Sequence, residues 1–301
     1  MLGFLPSPIK GVLASTLVIA NTIFFFIPVL LAAILKLLVP LAGWRRFCLR
    51  LLTWMAEQWI IVNKLITSLT QRIDWEIDLP GDLDYRGSYL VVANHQSWAD
   101  IVVLQHVFSK RIPFLKFFLK KELIWVPMLG IAWWALDLPF MRRYTKAELE
   151  AKPELRGKDL EITRRACERF KGMPVSIMNF IEGTRFRPAK HDAQQSPYRH
   201  LLKPKSGGIA FALNAMDGAI SELLDVTIVY EPHRAGFWDL LSGTVTRVQV
   251  DVQHRKIPER FLHGDYQNDP AWRQAFQDWI TELWKEKDDR IERMMNEELA
   301  K

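Results

Sequence analysis

Hydrophobic residues divide the chain into an apolar N-terminal part and a longer part in which apolar and polar stretches alternate. No residue from 11 to 35 is charged, and a helix needs only about 20 apolar residues to cross a bilayer. Two arrangements fit: a single membrane span, or a helix pair that bends at Pro28 and enters one leaflet. A buried core helix also fits, but its apolar run is ordinarily shorter. We therefore expect residues 1–43 to form a membrane-embedded helical segment.

A second helix is predicted directly after this segment. From Trp44 to Leu69, apolar residues recur at the spacing of one helical face. Three arginines lie near its start: Arg45, Arg46 and Arg50. Such an amphipathic helix suits the membrane surface, packing on a folded domain, or both. We assign residues 44–78 to this connecting segment.

The remainder, residues 79–301, has the pattern of an α/β domain. A turn at Leu79-Pro80-Gly81-Asp82 comes first. Strand patterns occupy 88–93, 112–118, 136–141, 174–181, 225–230 and 244–252. Helical patterns occupy about 97–109, 145–171 and 206–216, and an amphipathic helix follows Asp269-Pro270 near the C-terminus. Strands that alternate with helices in this way are typical of an α/β fold.

One apolar stretch inside this domain, residues 123–140, resembles a membrane span. It is short for that purpose, contains Asp137, and is interrupted by Pro127 and Gly130. We expect it to pack on the domain and to touch the membrane.

The distribution of charge also favours a membrane surface. The net charge is +6, and residues 1–70 carry +5 of it because they contain six Lys or Arg and one Glu. Positive charge beside an apolar segment suits the anionic cytoplasmic face of a membrane. A nucleic-acid-binding protein would instead spread its basic excess over a folded surface. The two cysteines form no spaced cluster, so neither a zinc site nor a disulfide framework is predicted, and a reducing compartment is expected.

The stretch NHQSWAD, residues 94–100, follows the predicted strand at 88–93. His95 stands at the end of this strand, and Asp100 falls one helical turn into the next helix. The carboxylate of Asp100 could orient the imidazole for proton transfer. Ser97 and Asp100 also fit a capping box, with Ser97 as the N-cap and Asp100 three residues later. The spacing alone leaves both interpretations open.

A second strand, at 174–181, also ends in polar residues. The stretch FIEGTRF contains Glu182, Gly183, Thr184 and Arg185. Glycine permits a sharp turn or close approach of the backbone to a ligand. The guanidinium of Arg185, and that of Arg142 after the strand at 136–141, could bind phosphate. A surface turn with a solvated Glu/Arg pair is the alternative interpretation.

Together these stretches resemble the 1-acylglycerol-3-phosphate O-acyltransferase (lysophospholipid acyltransferase) family. NHQSWAD resembles the N-H-x4-D block of that family, and FIEGTRF resembles its E-G-T-R block. The run LKPKSGGIAFALNAM and the later LLDVTIVYEP are similar to the lysocardiolipin-type branch. The resemblance covers roughly residues 75–235. It implies a glycerolphosphate-acyltransferase-like mixed sheet flanked by helices, behind an N-terminal membrane-embedded helical segment.

The resemblance also implies a reaction. A fatty acyl group moves from acyl-CoA or acyl carrier protein to the free hydroxyl of a lysophospholipid, lysophosphatidic acid or similar. His95 would act as the general base, oriented by Asp100, and backbone N–H groups at the start of the next helix would hold the oxyanion. The acceptor and its phosphate would be bound by five residues: Arg142, Glu182, Gly183, Thr184 and Arg185.

The expected partners are membrane lipid, the lysophospholipid acceptor and the acyl donor. No metal, no further cofactor and no nucleic acid is expected. We expect an enzyme of phospholipid biosynthesis in a bacterial inner membrane, with its catalytic domain on the cytoplasmic side. Two other classes stay open: a membrane-associated lipid hydrolase that uses the same His/Asp pair with water or Ser97, and a non-catalytic basic protein that binds a membrane surface or nucleic acid.

Overall fold

The N-terminal residues form a pair of long helices. The computed structural model describes residues 4–141, 167–168, 170, 172–233 and 235–299. Helix α1 (Ser7–Leu38) continues through Pro28, and a short loop joins it to α2 (Ala42–Thr70). The two helices pack against each other, and the side-chain amide of Asn21 bridges them by donating to the carbonyl oxygen of Trp59 (3.1 Å) and to Oδ1 of Asn63 (2.8 Å).

Strands and shorter helices alternate after α2. The strands are β1 (Asp74–Asp78), β2 (Tyr89–Ala93), β3 (Leu115–Phe117), β4 (Leu119–Lys120), β5 (Phe140–Met141), β6 (Ser176–Asn179), β7 (Glu222–Glu231) and β8 (Arg247–Lys256). The helices are α3 (Ala99–Phe108), α4 (Leu129–Ala135), α5 (Pro188–Gln194), α6 (Gly207–Met216), α7 (Phe237–Ser242) and α8 (Pro270–Leu299). Two 3₁₀ turns lie at Lys121–Trp125 and Glu259–Phe261.

Six strands form one mixed sheet in the order β1-β8-β7-β2-β6-β3. All neighbouring pairs are parallel except β7 and β8, which are antiparallel. In parallel sheets, binding sites form at the carboxyl ends of the strands. The central strand β2 therefore delivers the residues that follow it to this edge, beside those that follow β6.

Strand β2 is buried on both faces, as its uninterrupted apolar sequence predicts. Leu90 and Val92 pack in the core under α6 and α8, whereas Tyr89, Val91 and Ala93 pack in the core under α3. The alternation of side chains along a strand explains this division. Two helical layers thus fix the height and direction of β2 at the point where it ends.

The stretch at 123–140 packs on the domain, as its sequence predicts. Ala135 and Leu136 of this stretch lie in one apolar cluster with residues of α1 and α2. Nζ of Lys36, near the end of α1, donates to Oδ2 of Asp137 at 2.7 Å and to the carbonyl oxygen of Ala135 at 2.9 Å. Trp125 of the same stretch is 85% exposed, which suits an aromatic ring at a membrane interface.

Several predicted boundaries are wrong in detail. The sheet begins before residue 79, because β1 lies within the segment that we assigned to the connecting helix. The strand predicted at 136–141 is a strand only at Phe140–Met141, since a buried turn precedes it. The helix predicted at 145–171 falls mostly outside the described residues. Asp269 does cap α8, because its Oδ1 accepts the N–H of Trp272 at 2.9 Å.

Candidate active site

His95 lies two residues beyond the end of β2, and Glu182 lies three residues beyond the end of β6. These strands are parallel neighbours, with Val92 opposite Asn179. The two loops therefore meet at the same edge of the sheet. They are joined by two hydrogen bonds: the backbone N–H of His95 donates to Oε1 of Glu182 (2.7 Å), and the N–H of Phe186 donates to the carbonyl oxygen of His95 (2.7 Å).

His95 and Asp100 form the predicted pair. Nδ1 of His95 lies 2.8 Å from Oδ2 of Asp100. The carboxylate of Asp100 is fully buried, whereas the imidazole is 15% exposed. A buried carboxylate that accepts a hydrogen bond from Nδ1–H leaves the lone pair of Nε2 available to a substrate.

The buried carboxylate of Asp100 is surrounded by hydrogen-bond donors. Its Oδ2 also accepts the backbone N–H groups of Gln96 (2.6 Å) and Ser97 (2.9 Å), and its Oδ1 accepts the hydroxyl of Tyr230 (2.7 Å). Three neutral donors and the imidazole thus replace the water molecules that would hydrate this carboxylate if it were exposed. Burial, with the charge of Asp100, raises the pKa of Tyr230 well above its usual value, so this hydroxyl stays a donor.

The capping interpretation is partly wrong. Helix α3 begins at Ala99, so Trp98 occupies the N-cap position and has no capping side chain. The hydroxyl of Ser97 still accepts the N–H of Ala99 (3.0 Å), and Asp100 binds the N–H of Ser97 as the acidic member of a capping box would. The cap and the His/Asp pair therefore share one carboxylate, which ties the imidazole to the start of α3.

Glu182 points into the protein. It is 0% exposed, and its second oxygen, Oε2, accepts the backbone N–H of Leu202 at 2.9 Å. Burial raises the pKa of Glu182 to about 8, although the N–H groups of Leu202 and His95 and the charge of Lys287 favour the ionised form. Both oxygens are occupied by backbone donors, so this carboxylate holds two loops together.

The other residues of the E-G-T-R stretch stand nearer to the surface. Gly183 has φ +71°, a conformation that favours glycine. Thr184 Oγ1 accepts a hydrogen bond from Nζ of Lys190. The guanidinium of Arg185 lies over the ring of Trp98, 5.6 Å from its centroid. Arg185 therefore stands beside the His95 loop, while Arg142 lies outside the described residues.

Further cations surround Arg185. Burial, followed by the charges of neighbouring cations, lowers the pKa of Lys190. The neighbours are Arg187, Lys120, Arg185 and Lys205. Cations that repel one another are stabilised by a bound anion. This cluster of cations is therefore suited to bind an anion.

Three side chains that complete the site were not predicted from the sequence. The side-chain amide of Asn94 pairs with the backbone of Ile228, with both N···O distances 2.9 Å, and so extends the ladder between β2 and β7. Phe180 stacks on the imidazole of His95 at 3.9 Å between centroids. The third is Tyr230. Only Asn94 carries a usable signal, since an amide that ends a buried strand needs partners.

An apolar cavity of about 450 Å³ opens at the start of α3. It is lined by Trp98, by the α3 residues Ile101 and Val102, by α1 and α2, and by the stretch at 123–140. A second cavity of about 330 Å³ shares several of these residues, Trp59 and Val102 among them. Both volumes fall in the usual range for small-molecule sites, about 300–1,000 Å³. No group of three or more His, Cys, Asp or Glu residues in the described part of the chain could hold a metal ion.

The fold and site define an α/β protein with a His/Asp pair at the carboxyl edge of its sheet, next to an apolar cavity and a cluster of cations. The model of the Acyltransferase family matches residues 76–231, more than half of the sequence. The chain therefore belongs to the Acyltransferase family, and the predicted resemblance is confirmed. The lysocardiolipin-type branch stays a prediction.

Curated relatives agree with this assignment. The chain is 24% identical to mouse 1-acyl-sn-glycerol-3-phosphate acyltransferase gamma, over 56% of this chain and 43% of the relative. It is 23% identical to the 2-acyl-1-lysophosphatidylinositol acyltransferase of Saccharomyces cerevisiae, over 69% of this chain and 62% of the relative. The chain thus spans about half the length of these relatives.

A solved structure has the same fold. The crystal structure of the 1-acyl-sn-glycerophosphate (LPA) acyltransferase PlsC from Thermotoga maritima superposes with a TM-score of 0.58 at 16% identity. The match covers 95% of this chain and 96% of the other. It confirms the predicted fold class, a mixed sheet flanked by helices behind an apolar N-terminal helix.

Proposed function

We propose that this protein transfers a fatty acyl group from a thioester donor, acyl-CoA or acyl carrier protein, to the free hydroxyl of a lysophospholipid. The observation that carries the proposal is the buried Asp100 carboxylate on Nδ1 of His95, which leaves the lone pair of Nε2 available to a substrate. The names of the relatives include acyltransferases that act on lysophosphatidic acid and on lysophosphatidylinositol. A lysophospholipid acceptor fits both the cations and the cavity.

In the proposed reaction, Nε2 of His95 takes the proton of the acceptor hydroxyl as its oxygen attacks the thioester carbon. The imidazolium that forms is stabilised by Asp100. The tetrahedral intermediate then breaks its C–S bond, and the imidazolium returns the proton to the departing sulfur. The products are a phospholipid ester and a free thiol. No protein nucleophile takes part, since the acceptor attacks directly.

The predicted oxyanion donors need a correction. The N–H groups of Gln96 and Ser97 both point at Asp100, and that of Ala99 points at Ser97. These groups are therefore unavailable to a substrate. The N–H of Trp98, which donates to no acceptor within the described part of the chain, is the remaining candidate in this loop for the oxyanion.

The phosphate of the acceptor would lie against the cations around Arg185, since planar guanidinium groups bind phosphate oxygens in pairs. Glu182 supports this arrangement from inside, because it holds the backbone and does not face the surface. Thr184 and Gly183 would set the path of the loop. We keep Arg142 as a predicted second phosphate ligand from the sequence.

The two cavities beside Trp59 and Val102 suit acyl chains. Their walls come partly from α1 and α2, so a lipid in the membrane could enter without passing through water. Exposed apolar side chains on α1 support this location, and among the described residues α1 is the one helix long and apolar enough to cross a bilayer. The cavity walls and the exposed face together favour a site at the membrane surface.

We propose further that α1 lies in one leaflet instead of spanning. Its start packs against α7, where a Cβ on Gly11 would meet the ring of Trp238 at 2.7 Å. Its end is bound at Asp137 through Lys36. Those two points of α1 are about 37 Å apart along the helix axis. A helix held to the domain at both ends runs along its surface, on the face turned to the membrane.

The test is an assay in vesicles that contain the full-length protein, with several lysophospholipids and labelled acyl-CoA or acyl carrier protein. We expect labelled phospholipid from at least one acceptor, and loss of that product in His95→Ala. Free labelled fatty acid without phospholipid would instead indicate the hydrolase. Ser97→Ala should retain transfer, because the Ser97 side chain is buried and bonded to the backbone. A protein that makes neither product with any acceptor would contradict the proposal.

A further inference from the structure

The C-terminal helix α8 holds a segment that reaches the candidate active site. Asp288 of α8 is 5% exposed. Its Oδ2 accepts the backbone N–H of Arg199, and its Oδ1 accepts that of His200, both at 2.8 Å. A buried carboxylate on two backbone donors makes short, strong hydrogen bonds. Asp288 therefore fixes the start of the segment 199–202.

Trp284 fixes the other end of that segment. It lies one turn before Asp288 on the same face of α8, and its ring is fully buried. Its Nε1 donates to the carbonyl oxygen of Leu202 at 3.0 Å. The segment 199–202 is thus attached to α8 at both ends.

Leu202 connects the segment 199–202 to the candidate active site. Its N–H donates to Oε2 of Glu182, and the other oxygen of Glu182 accepts the N–H of His95. The links from α8 to His95 measure 2.7–3.0 Å, and Leu202 and Glu182 are both 0% exposed. Closely packed interiors transmit displacements, so a shift of the segment moves the backbone of His95.

We propose that Trp284 and Asp288 are positioning residues for the reaction, which act on His95 through the segment 199–202 and the carboxylate of Glu182. This inference rests on the proposed function, in which His95 is the base. Neither residue touches substrate. They affect the position of the imidazole, and a displacement of a catalytic group by about 1 Å can lower the rate about 100-fold.

The docking of α8 itself depends on other residues. Asp225 of β7 is fully buried and pairs with Lys287 (2.5 Å) and Arg290 (3.1 Å) of α8. Phe276 packs in the core and stacks on Trp272. Because these contacts are separate from Asp288, a variant at Asp288 loosens the segment without removing the helix.

Asp289 supplies a matched control on the neighbouring position. Its Oδ1 pairs with Nη2 of Arg199 at 3.2 Å, but both side chains are about half exposed and the pair does not hold the backbone. Asp288→Asn and Asp289→Asn make the same chemical change in the same helix. Only the first disturbs the backbone of the segment, since an amide can accept one of the two N–H groups.

The experiment measures kcat and KM for both substrates with the full-length protein in vesicles. We expect kcat to fall about 10- to 100-fold in Asp288→Asn, with both KM values within about twofold, since a displaced base lowers kcat without weakening binding. Trp284→Phe, which keeps an aromatic side chain and loses the Nε1 donor, should lower kcat in the same way. Asp289→Asn should match the wild type within about twofold.

A double-variant cycle separates positioning from general damage. If the residues act in one chain of contacts, Glu182→Gln combined with Asp288→Asn should lose little more than Glu182→Gln alone. Two results would overturn the inference. In the first, the double variant loses kcat by the product of the two single losses. In the second, Asp288→Asn and Trp284→Phe both keep the kcat of Asp289→Asn. If Asp288→Asn fails to fold, Trp284→Phe replaces it both in the comparison with Asp289→Asn and in the double variant with Glu182→Gln. A His95→Ala variant that transfers the acyl group at the wild-type rate would instead contradict the proposed function.

Discussion

Asp100→Asn tests the charge of the proposed dyad with little change in shape. Three N–H donors, from His95, Gln96 and Ser97, point at Oδ2 of Asp100. The amide oxygen should therefore take that position. The new NH₂ group then faces the hydroxyl of Tyr230, which can turn to accept a hydrogen bond. Every partner keeps a hydrogen bond, so we expect the fold to survive.

The catalytic cost follows from the distance between the two charges. At 2.8 Å between Nδ1 of His95 and Oδ2 of Asp100, an imidazolium and a carboxylate attract by about 6 kcal/mol at an effective dielectric constant of about 20. The dipole of the amide retains part of this attraction. We expect a loss of about 3–5 kcal/mol in transition-state stabilisation, which lowers kcat about 10²- to 10⁴-fold.

The assay is the initial rate of labelled phospholipid formation at saturating substrates, with thermal unfolding measured in parallel. Asp239→Asn is the control, because Oδ2 of Asp239 accepts a backbone N–H of Gly236 (2.7 Å) away from the site. It should keep the wild-type rate. A rate for Asp100→Asn within about threefold of wild type, with unchanged thermal stability, would refute the assigned role of Asp100.

Three other substitutions test stability. Tyr230→Phe removes a buried hydrogen bond to the carboxylate of Asp100, and should lower the free energy of unfolding by about 1.5–3 kcal/mol in denaturant titrations. The pKa of Glu182 is raised to about 8 from 4.5, so its contribution to stability is complete below about 4.5 and is lost as the pH rises through 8. Between pH 5 and pH 9, the free energy of unfolding of the wild type should therefore fall by up to about 5 kcal/mol more than that of Glu182→Gln. The same dependence on pH in both proteins would contradict this. Gly130→Ala places a Cβ 2.0 Å from a backbone oxygen and should lower the melting temperature, whereas Gly81→Ala, with nothing within 4 Å, should not.

The spacing within NHQSWAD allowed a contact that is local in sequence, and the other motifs favoured it over a simple cap. His95 and Asp100 are five residues apart across a strand end and a helix start, so chain geometry alone brings them together. Glu182 was predicted only as an acceptor-binding residue, from the family resemblance. Its contact with His95 follows from the parallel pairing of β2 and β6, whose ends meet at one edge of the sheet.

The direction of each side chain was harder to predict. E-G-T-R indicated four residues at the surface of a substrate site, but Glu182 points inward to two backbone N–H groups. A one-residue difference in a turn decides which way a side chain faces, and sequence patterns do not fix turns that closely. The same is true of Gln96 and Ser97, whose N–H groups were expected to face the substrate and instead face Asp100.

The amino-acid sequence was sufficient to predict the apolar N-terminal segment, the α/β class and the two strand ends that carry the chemistry, because these depend on periodicity and on residues close together in the chain. Two further features are visible only in the folded protein: the hydrogen bond of Tyr230 to Asp100, and the connection of α8 to His95 through Leu202 and Glu182. Those contacts join positions from 20 to 130 residues apart. Their partners are selected by how the layers pack on the sheet, which no local pattern records.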